Sequence, residues 1–177
     1  DVAPPTPQEI IELPSVVGRL DPARIGAEHE SFVRPVRHPA LTPFCRSLTG
    51  ITQAEVDAAP TFPDAFAAHQ AWLRDQGLPL EGGDWAFLTC GDWDLQTMLP
   101  RQLETSELEA PPAYRRWINL KVAFRQVTGR RGGGMPAMLR SLELELEGRH
   151  HRGIDDCRNL ARIALALLDR GWRPTLA

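Results

Sequence analysis

Residues 148–170 read GRHHRGIDDCRNLARIALALLDR, and the rest of the chain is best read outward from them. Ile154, Cys157, Leu160, Ala161, Ala164, Leu165 and Leu168 recur at helical spacing, which predicts an amphipathic helix over 153–170. Asp156 then falls in the first turn, and His151 lies on the preceding loop, five residues earlier. Such a junction lets both side chains face one cavity without stacking on one helix face. A carboxylate there can hold a hard divalent cation. A histidine several ångströms away can take a proton from an activated water, which is equipment for hydrolysing a phosphodiester. Simpler readings stand beside this one. Asp156 can complement the helix dipole, and His151, like His150, can be an exposed loop histidine.

A second unusual stretch lies upstream. Trp85–Cys90 (WAFLTC) is a short apolar run suited to a buried strand, and TCGDWD (89–94) places Asp94 just beyond its end. Sites gather at such strand ends in open α/β sheets. Asp94 can also be the N-cap of a helix predicted over 94–103. Further elements complete the pattern. Glu9–Leu20 reads as a strand kinked at Pro14 and Glu30–Val36 as its partner, with Asp21–Ala27 as the turn of an antiparallel hairpin. Short helices are predicted over 42–47, from the Thr52–Glu55 capping box and over 135–144, with a full helix over 61–76. A strand-to-helix passage is expected near Trp117–Asn119. Strands mixed with helices and an early hairpin give an α/β class, a mixed sheet flanked by helices.

Length and composition agree. The chain has 177 residues, enough for one domain with a core and too few for two, with 42% hydrophobic and 24% charged residues. No run reaches the ~20 apolar residues of a spanning helix, so no membrane partner is expected. The chain does not open with a signal-peptide pattern. Three scattered cysteines (Cys45, Cys90, Cys157) fit neither a disulfide framework nor a zinc ribbon. From these, an intracellular, cytoplasmic location is expected. Net charge is −3, yet Pro111–Arg152 carries nine Lys/Arg against three Glu. A basic stretch beside an acidic remainder suits a surface that grips phosphates, and it equally describes an uneven solvated surface. The Gly132–Gly134 run lacks the Gly-Lys-Ser/Thr of a phosphate-binding loop.

The segments EIIELP (9–14), SFVRP (31–35), LTPFCRSLTGIT (41–52), TFPDAF (61–66), TCGDWD (89–94), PPAYRRWINLK (111–121) and GRHHRGIDDCRNLARIA (148–164) resemble, in this order, the exonuclease domain of the Eri family. The resemblance runs over essentially all of the chain, 1–177, as one domain. It implies the DEDDh type of 3′–5′ exonuclease, probing single-stranded 3′ ends with RNA favoured over DNA, and a ribonuclease H-like fold around a mixed five-stranded sheet. It implies two Mg²⁺ or Mn²⁺ ions held by four carboxylates. Asp94 matches the second motif and Asp156 the third, both as metal ligands, and His151 matches the general base. Asp155 is the non-ligand of the Asp-Asp pair. Ile51 is expected beside the terminal base, or in the core. Arg115, Arg116, Lys121, Arg130 and Arg131 are candidates to track the phosphate backbone.

The family's first motif, Asp-x-Glu at the end of a central strand, has no match. Asp1-Val2-Ala3 offers Asp-x-Ala, about six residues too late. The expectation is that this strand and two of the four carboxylates lie upstream of Asp1. A catalytically inactive nucleic-acid-binding or scaffold domain with the same fold is the alternative. Since Mg²⁺ demands near-octahedral oxygen ligation, residues 1–177 by themselves are expected to show little turnover in a Mn²⁺-supplemented nuclease assay. Robust turnover abolished by Asp94→Ala is the contrary outcome.

Overall fold

The structure, a computed structural model, describes residues 6–175. Asp1-Val2-Ala3 lies outside them.

The chain opens with the expected hairpin, but its turn falls elsewhere. Strand β1 (Ser15–Leu20) pairs antiparallel with β2 (Ala23–His29), with Leu20 opposite Ala23, so only Asp21 and Pro22 form the loop. The segment expected as the turn is therefore mostly strand. Its side chains are largely exposed, so Ala23–His29 lacks the apolar alternation that marks a half-buried strand. The ladder shifts by one residue between Val16 and Gly18 and continues toward the N-terminus. There Glu12 bridges Phe32, and the amides of Leu13 and Val33 donate to the carbonyls of Ser31 and Ile11. The expected pairing of 9–13 with 30–36 thus holds as the open end of one longer hairpin.

Three helices follow. Helix α1 (Pro43–Thr49) is capped by Thr42, whose hydroxyl accepts from the Cys45 amide. The Thr52–Glu55 capping box forms at α2 (Gln53–Asp57). Helix α3 (Phe62–Asp75) presents Phe62, Phe66, His69 and Leu73 inward. Strand β3 (Phe87–Thr89) then leads into a π-helical turn (Trp93–Met98), helix α4 (Leu99–Thr105) and a short 3₁₀ turn (Pro112–Arg115). Strand β4 (Trp117–Asn119) returns parallel to β3, as a helical crossover requires. Helices α5 (Leu120–Thr128), α6 (Met135–Ser141) and α7 (Gly153–Asp169) complete the chain. None of the described helices is long and apolar enough to cross a membrane.

Helices cover both faces of the β3–β4 pair. Phe87 packs on the cluster of Phe62, Phe66, Leu99, Leu103 and Tyr114, whereas Leu88 and Ile118 pack on Leu120, Phe124, Met138, Ile163 and Leu167. Neighbouring strand residues thus feed opposite cores. A fully buried Phe contributes about 1.5–3 kcal/mol and an exposed ion pair at most about 1 kcal/mol. Burial therefore holds the helices on, and ion pairs adjust their orientation.

The described strands form two separate two-stranded ladders, β1–β2 and β3–β4, rather than one continuous sheet. A cavity of about 1470 Å³ lies between them, lined by β1, β3, the inner face of α3 and the Cys157–Leu168 face of α7. One polar chain spans its wall. The buried His69 of α3 shares hydrogen bonds of 2.7 Å with Ser15 Oγ through Nε2 and with the Tyr114 hydroxyl through Nδ1. Burial, aided by the nearby His29, pushes the His69 pKa down to about 3. In the unfolded chain this ring titrates near 6.5. The contribution of neutral His69 is thus intact above pH 6.5 and is lost progressively as pH falls toward 3, by at most about 1.4 kcal/mol per pH unit. Urea titrations between pH 7 and pH 4 should show this slope in the wild type and a shallower one in His69→Asn.

Candidate active site

The N-terminus of α7 is fixed by a residue far away in sequence. The Glu12 carboxylate accepts from the amides of Gly153 (2.8 Å) and Ile154 (3.0 Å), two of the unpaired donors of the first turn. Gly153 permits this approach, because a Cβ there would lie 2.7 Å from Pro14 Cγ and 2.9 Å from Glu12 Cδ. Half-burial raises the Glu12 carboxyl, and the two amide donors oppose that rise.

The preceding loop is tied by the two aspartates. Asp155 accepts from the Arg149 amide (2.9 Å) and from Arg158 Nη1 (2.9 Å), so it holds the loop closed. It sits against Gly148, where a Cβ would run into its carboxyl group. Asp156 accepts from the His151 amide (3.1 Å to Oδ2) and from the His150 ring (3.0 Å to Oδ1). His151 has φ of 71°, a conformation that an L-residue adopts at a cost. Its ring is exposed and stacks on that of His150, with centroids 3.7 Å apart. Donor atoms of His150, His151 and Asp156 lie within 4.8 Å of one another. His150, expected as a free loop residue, is instead half-buried and engaged with Asp156.

The second strand end is equally well tied. Asp92 accepts from Trp117 Nε1 and from Asn119 Nδ2, both at 2.9 Å. Asn119 in turn caps α5 by accepting from the Lys121 amide (3.0 Å). Asp92 thus joins the β3 loop to β4 and α5. Asp94 follows in the first turn of the π-helix. Packing around Asp94 raises its carboxyl above the ordinary range, and the charge of Asp156 adds to the rise while that of Lys121 opposes it.

Asp94, Asp156 and His151 all line the cavity between the ladders, so the three residues singled out from sequence converge on one space. Asp94 does not belong to the tight cluster around Asp156. Ile51 lies in the wall with 1% of its surface exposed. The apolar surface open to a ligand comes instead from Phe44 (69% exposed), Leu48 (38%) and Trp93 (54%), all lining the same cavity. Sequence reasoning missed these three, and also Glu12 and Asp92. A signal for Phe44 and Leu48 exists: they sit four apart on a helix with no buried residue.

The sequence profile of the RNase_T exonuclease family matches residues 2–164. The chain belongs to this exonuclease family. It is 41% identical over 167 residues to ERI1 exoribonuclease 3 of Homo sapiens, an alignment covering 94% of this chain and 50% of that protein. It is 36% identical to the Homo sapiens 3′-5′ exoribonuclease 1, covering 92% and 47%. The chain thus spans about half the length of the curated relatives it matches. Among solved structures, the nuclease domain of 3′hExo, described as a DEDDh family member bound to rAMP, superposes with a TM-score of 0.87 at 35% identity, covering 92% of this chain and 82% of that one. A 3′-exonuclease in 3′-end-specific recognition of a histone mRNA stem-loop gives 0.88 at 33%, covering 94% and 76%. The α/β, ribonuclease H-like DEDDh fold expected from the motifs is therefore the fold of this chain.

Membership implies a site for divalent metal ions, and the residues present fit one. Two carboxylates from different elements face one space, and the charge of Asp156 raises the Asp94 carboxyl. A hard cation bound by oxygen would relieve that opposition. The site hangs on the α7 N-terminus, so Glu12→Ala should lower stability by about 0.5–2 kcal/mol, the range for a lost N-cap. Denaturant unfolding measures this, and hydrogen exchange should show faster opening at Gly153 and Ile154.

Proposed function

We propose that the protein is a 3′–5′ exonuclease, acting on RNA in preference to DNA, that releases nucleoside 5′-monophosphates. The observation carrying this reading is the convergence of Asp94, Asp156 and His151 on one cavity whose rim is Phe44, Leu48 and Trp93. Carboxylates for cations, a base for water and flat apolar surface for a nucleobase are the parts that stepwise hydrolysis from an end requires. The rAMP and histone mRNA named for the two structural neighbours support the RNA preference.

In the reaction, water adds to the phosphorus of the last linkage and the bond to the preceding nucleotide's 3′ oxygen breaks. Asp94 and Asp156 would hold Mg²⁺ or Mn²⁺, two ions in the complete site. Bound divalent ions lower the pKa of water and offset charge on phosphoryl oxygens. His151 takes the proton of the attacking water, its main chain pinned through Asp156 while its ring stays exposed. Phe44, Leu48 and Trp93 stack against the terminal base and set the register of the strand. Ile51 backs this surface from the wall.

The cavity also supports a strand contributed from upstream of Asp1. Strand β1 of one ladder and β3 of the other both line the cavity, and the walls are apolar on both the α3 and α7 sides. An apolar strand there would join the ladders into a five-stranded sheet, and an Asp-x-Glu at its end would reach Asp94 and Asp156. The reading is tested in the full-length polypeptide with a 5′-labelled, 3′-hydroxyl RNA and Mn²⁺. His151→Asn should lower kcat by about 10²–10⁴-fold, the scale of a general base, and Asp94→Ala should abolish stepwise shortening. Unchanged degradation by His151→Asn would falsify the assignment of the base.

A further inference from the structure

Several cations lie around the site, among them Arg101, whose guanidinium sits 5.5 Å over the Trp93 ring. Those on the α7 side are committed within the protein. Arg149 donates to the Ser47 carbonyl. Arg152 pairs with Glu30 and Glu55 and lies over the Phe32 ring. Arg158 grips Glu28 and Asp155, and Arg162 pairs with Glu147. Each of these arginines has at least one guanidinium nitrogen engaged within the protein.

Lys121 differs. It is exposed at the start of α5, and its ammonium makes no salt bridge or side-chain hydrogen bond among the described residues. Its main chain is fixed on several sides. Asn119 caps its amide, Asp92 holds Asn119, and Gly132 lies near its Cα, with a Cβ there 3.5 Å away. Its side chain reaches back over the β3 loop. Nζ lies 3.5 Å from where a Cβ on Gly91 would sit, so the ammonium rests directly over Gly91. Asp94 stands three residues farther along that loop.

We infer that Lys121 is a substrate-positioning residue whose ammonium, reaching over Gly91 in the segment that leads to Asp94, holds a backbone phosphate of the bound strand. The inference rests on the exonuclease reading given above. The ammonium rests over Gly91, between Cys90 and the turn that carries Asp94, and makes no salt bridge among the described residues, so it is available to an anionic group. A nucleic-acid strand entering over Phe44, Leu48 and Trp93 supplies that anion next to the carboxylates. Lysine suits the task as a mobile point charge that follows a phosphate moving by one nucleotide per cycle. The Asp92 clamp means that the same hydrogen bonds that place Asp94 also place Lys121.

The test uses the full-length polypeptide and a single-stranded RNA with a free 3′ end. Lys121→Ala should raise KM about tenfold, in line with loss of one hydrogen bond to a charged group, with kcat nearly unchanged. In a His151→Asn background that retains the RNA, the slope of log affinity against log salt should fall by about 0.7, the value for one phosphate contact on a single strand. Lys121→Arg should restore both. An unchanged slope and KM in Lys121→Ala overturns the inference. So does a fall in kcat and thermal stability that arginine does not rescue, which marks a structural role. If the wild type neither binds nor shortens the RNA, the exonuclease reading fails as well. If it does both and only the Lys121 effects are missing, that reading stands and the lysine assignment alone falls.

Discussion

Two hydrogen bonds from one carboxylate set the geometry on which the site depends. Glu12, in the open end of the first hairpin, closes the amides of Gly153 and Ile154 at the head of a 17-residue helix. That helix cannot slide or tilt at its N-terminus without exposing those donors. Asp156 and the His150–His151 loop therefore take their positions from the hairpin, about 140 residues away in sequence. The arginines of α7 reinforce the same contact from outside through Glu28 and Glu30. Being partly exposed, they add orientation more than stability.

This arrangement changes how the basic stretch of the sequence is understood. Pro111–Arg152 has the charge excess of a phosphate-gripping surface, yet Arg149 and Arg152 are spent on internal contacts. Charge counted along the chain does not distinguish a cation that binds a ligand from one that holds a loop. The distinction lies in what each donor already touches, and only the three-dimensional arrangement supplies that.

The sequence was most informative where local rules and tertiary needs coincide. Helix α7 has an unbroken apolar stripe, and Thr42 and the Thr52–Glu55 pair are caps whose chemistry is local. Asp94, His151 and Asp156 stood out because each lies at a junction of elements. The hairpin turn was misplaced because Ala23–His29 is paired through its backbone while most of its side chains face water. Glu9 and Glu12 were read only as strand residues. In fact Glu9 accepts from the amides of Val36, Arg37 and His38, and Glu12 caps α7. A carboxylate that serves distant amides leaves no periodic trace. Phe44, Leu48 and Trp93 were hidden for the opposite reason: a large apolar residue in a sequence is taken for core unless its exposure is known.

The π-helical turn at Trp93–Met98 has a geometric consequence. It accommodates one more residue than an α-turn before α4 begins, and such turns are frequent at functional sites. Downstream, Leu99 and Leu103 are buried in the core; upstream, Asp94 lines the cavity. In a regular α-helix each residue turns the chain by about 100°, so these two ends could not both keep their facing with the same number of residues. The wide turn acts as a phase adjuster, letting the hydrophobic register of α4 and the aim of Asp94 be satisfied independently. A single-residue deletion within it would leave the composition of the segment nearly intact and yet rotate the carboxylate away from the cavity it lines.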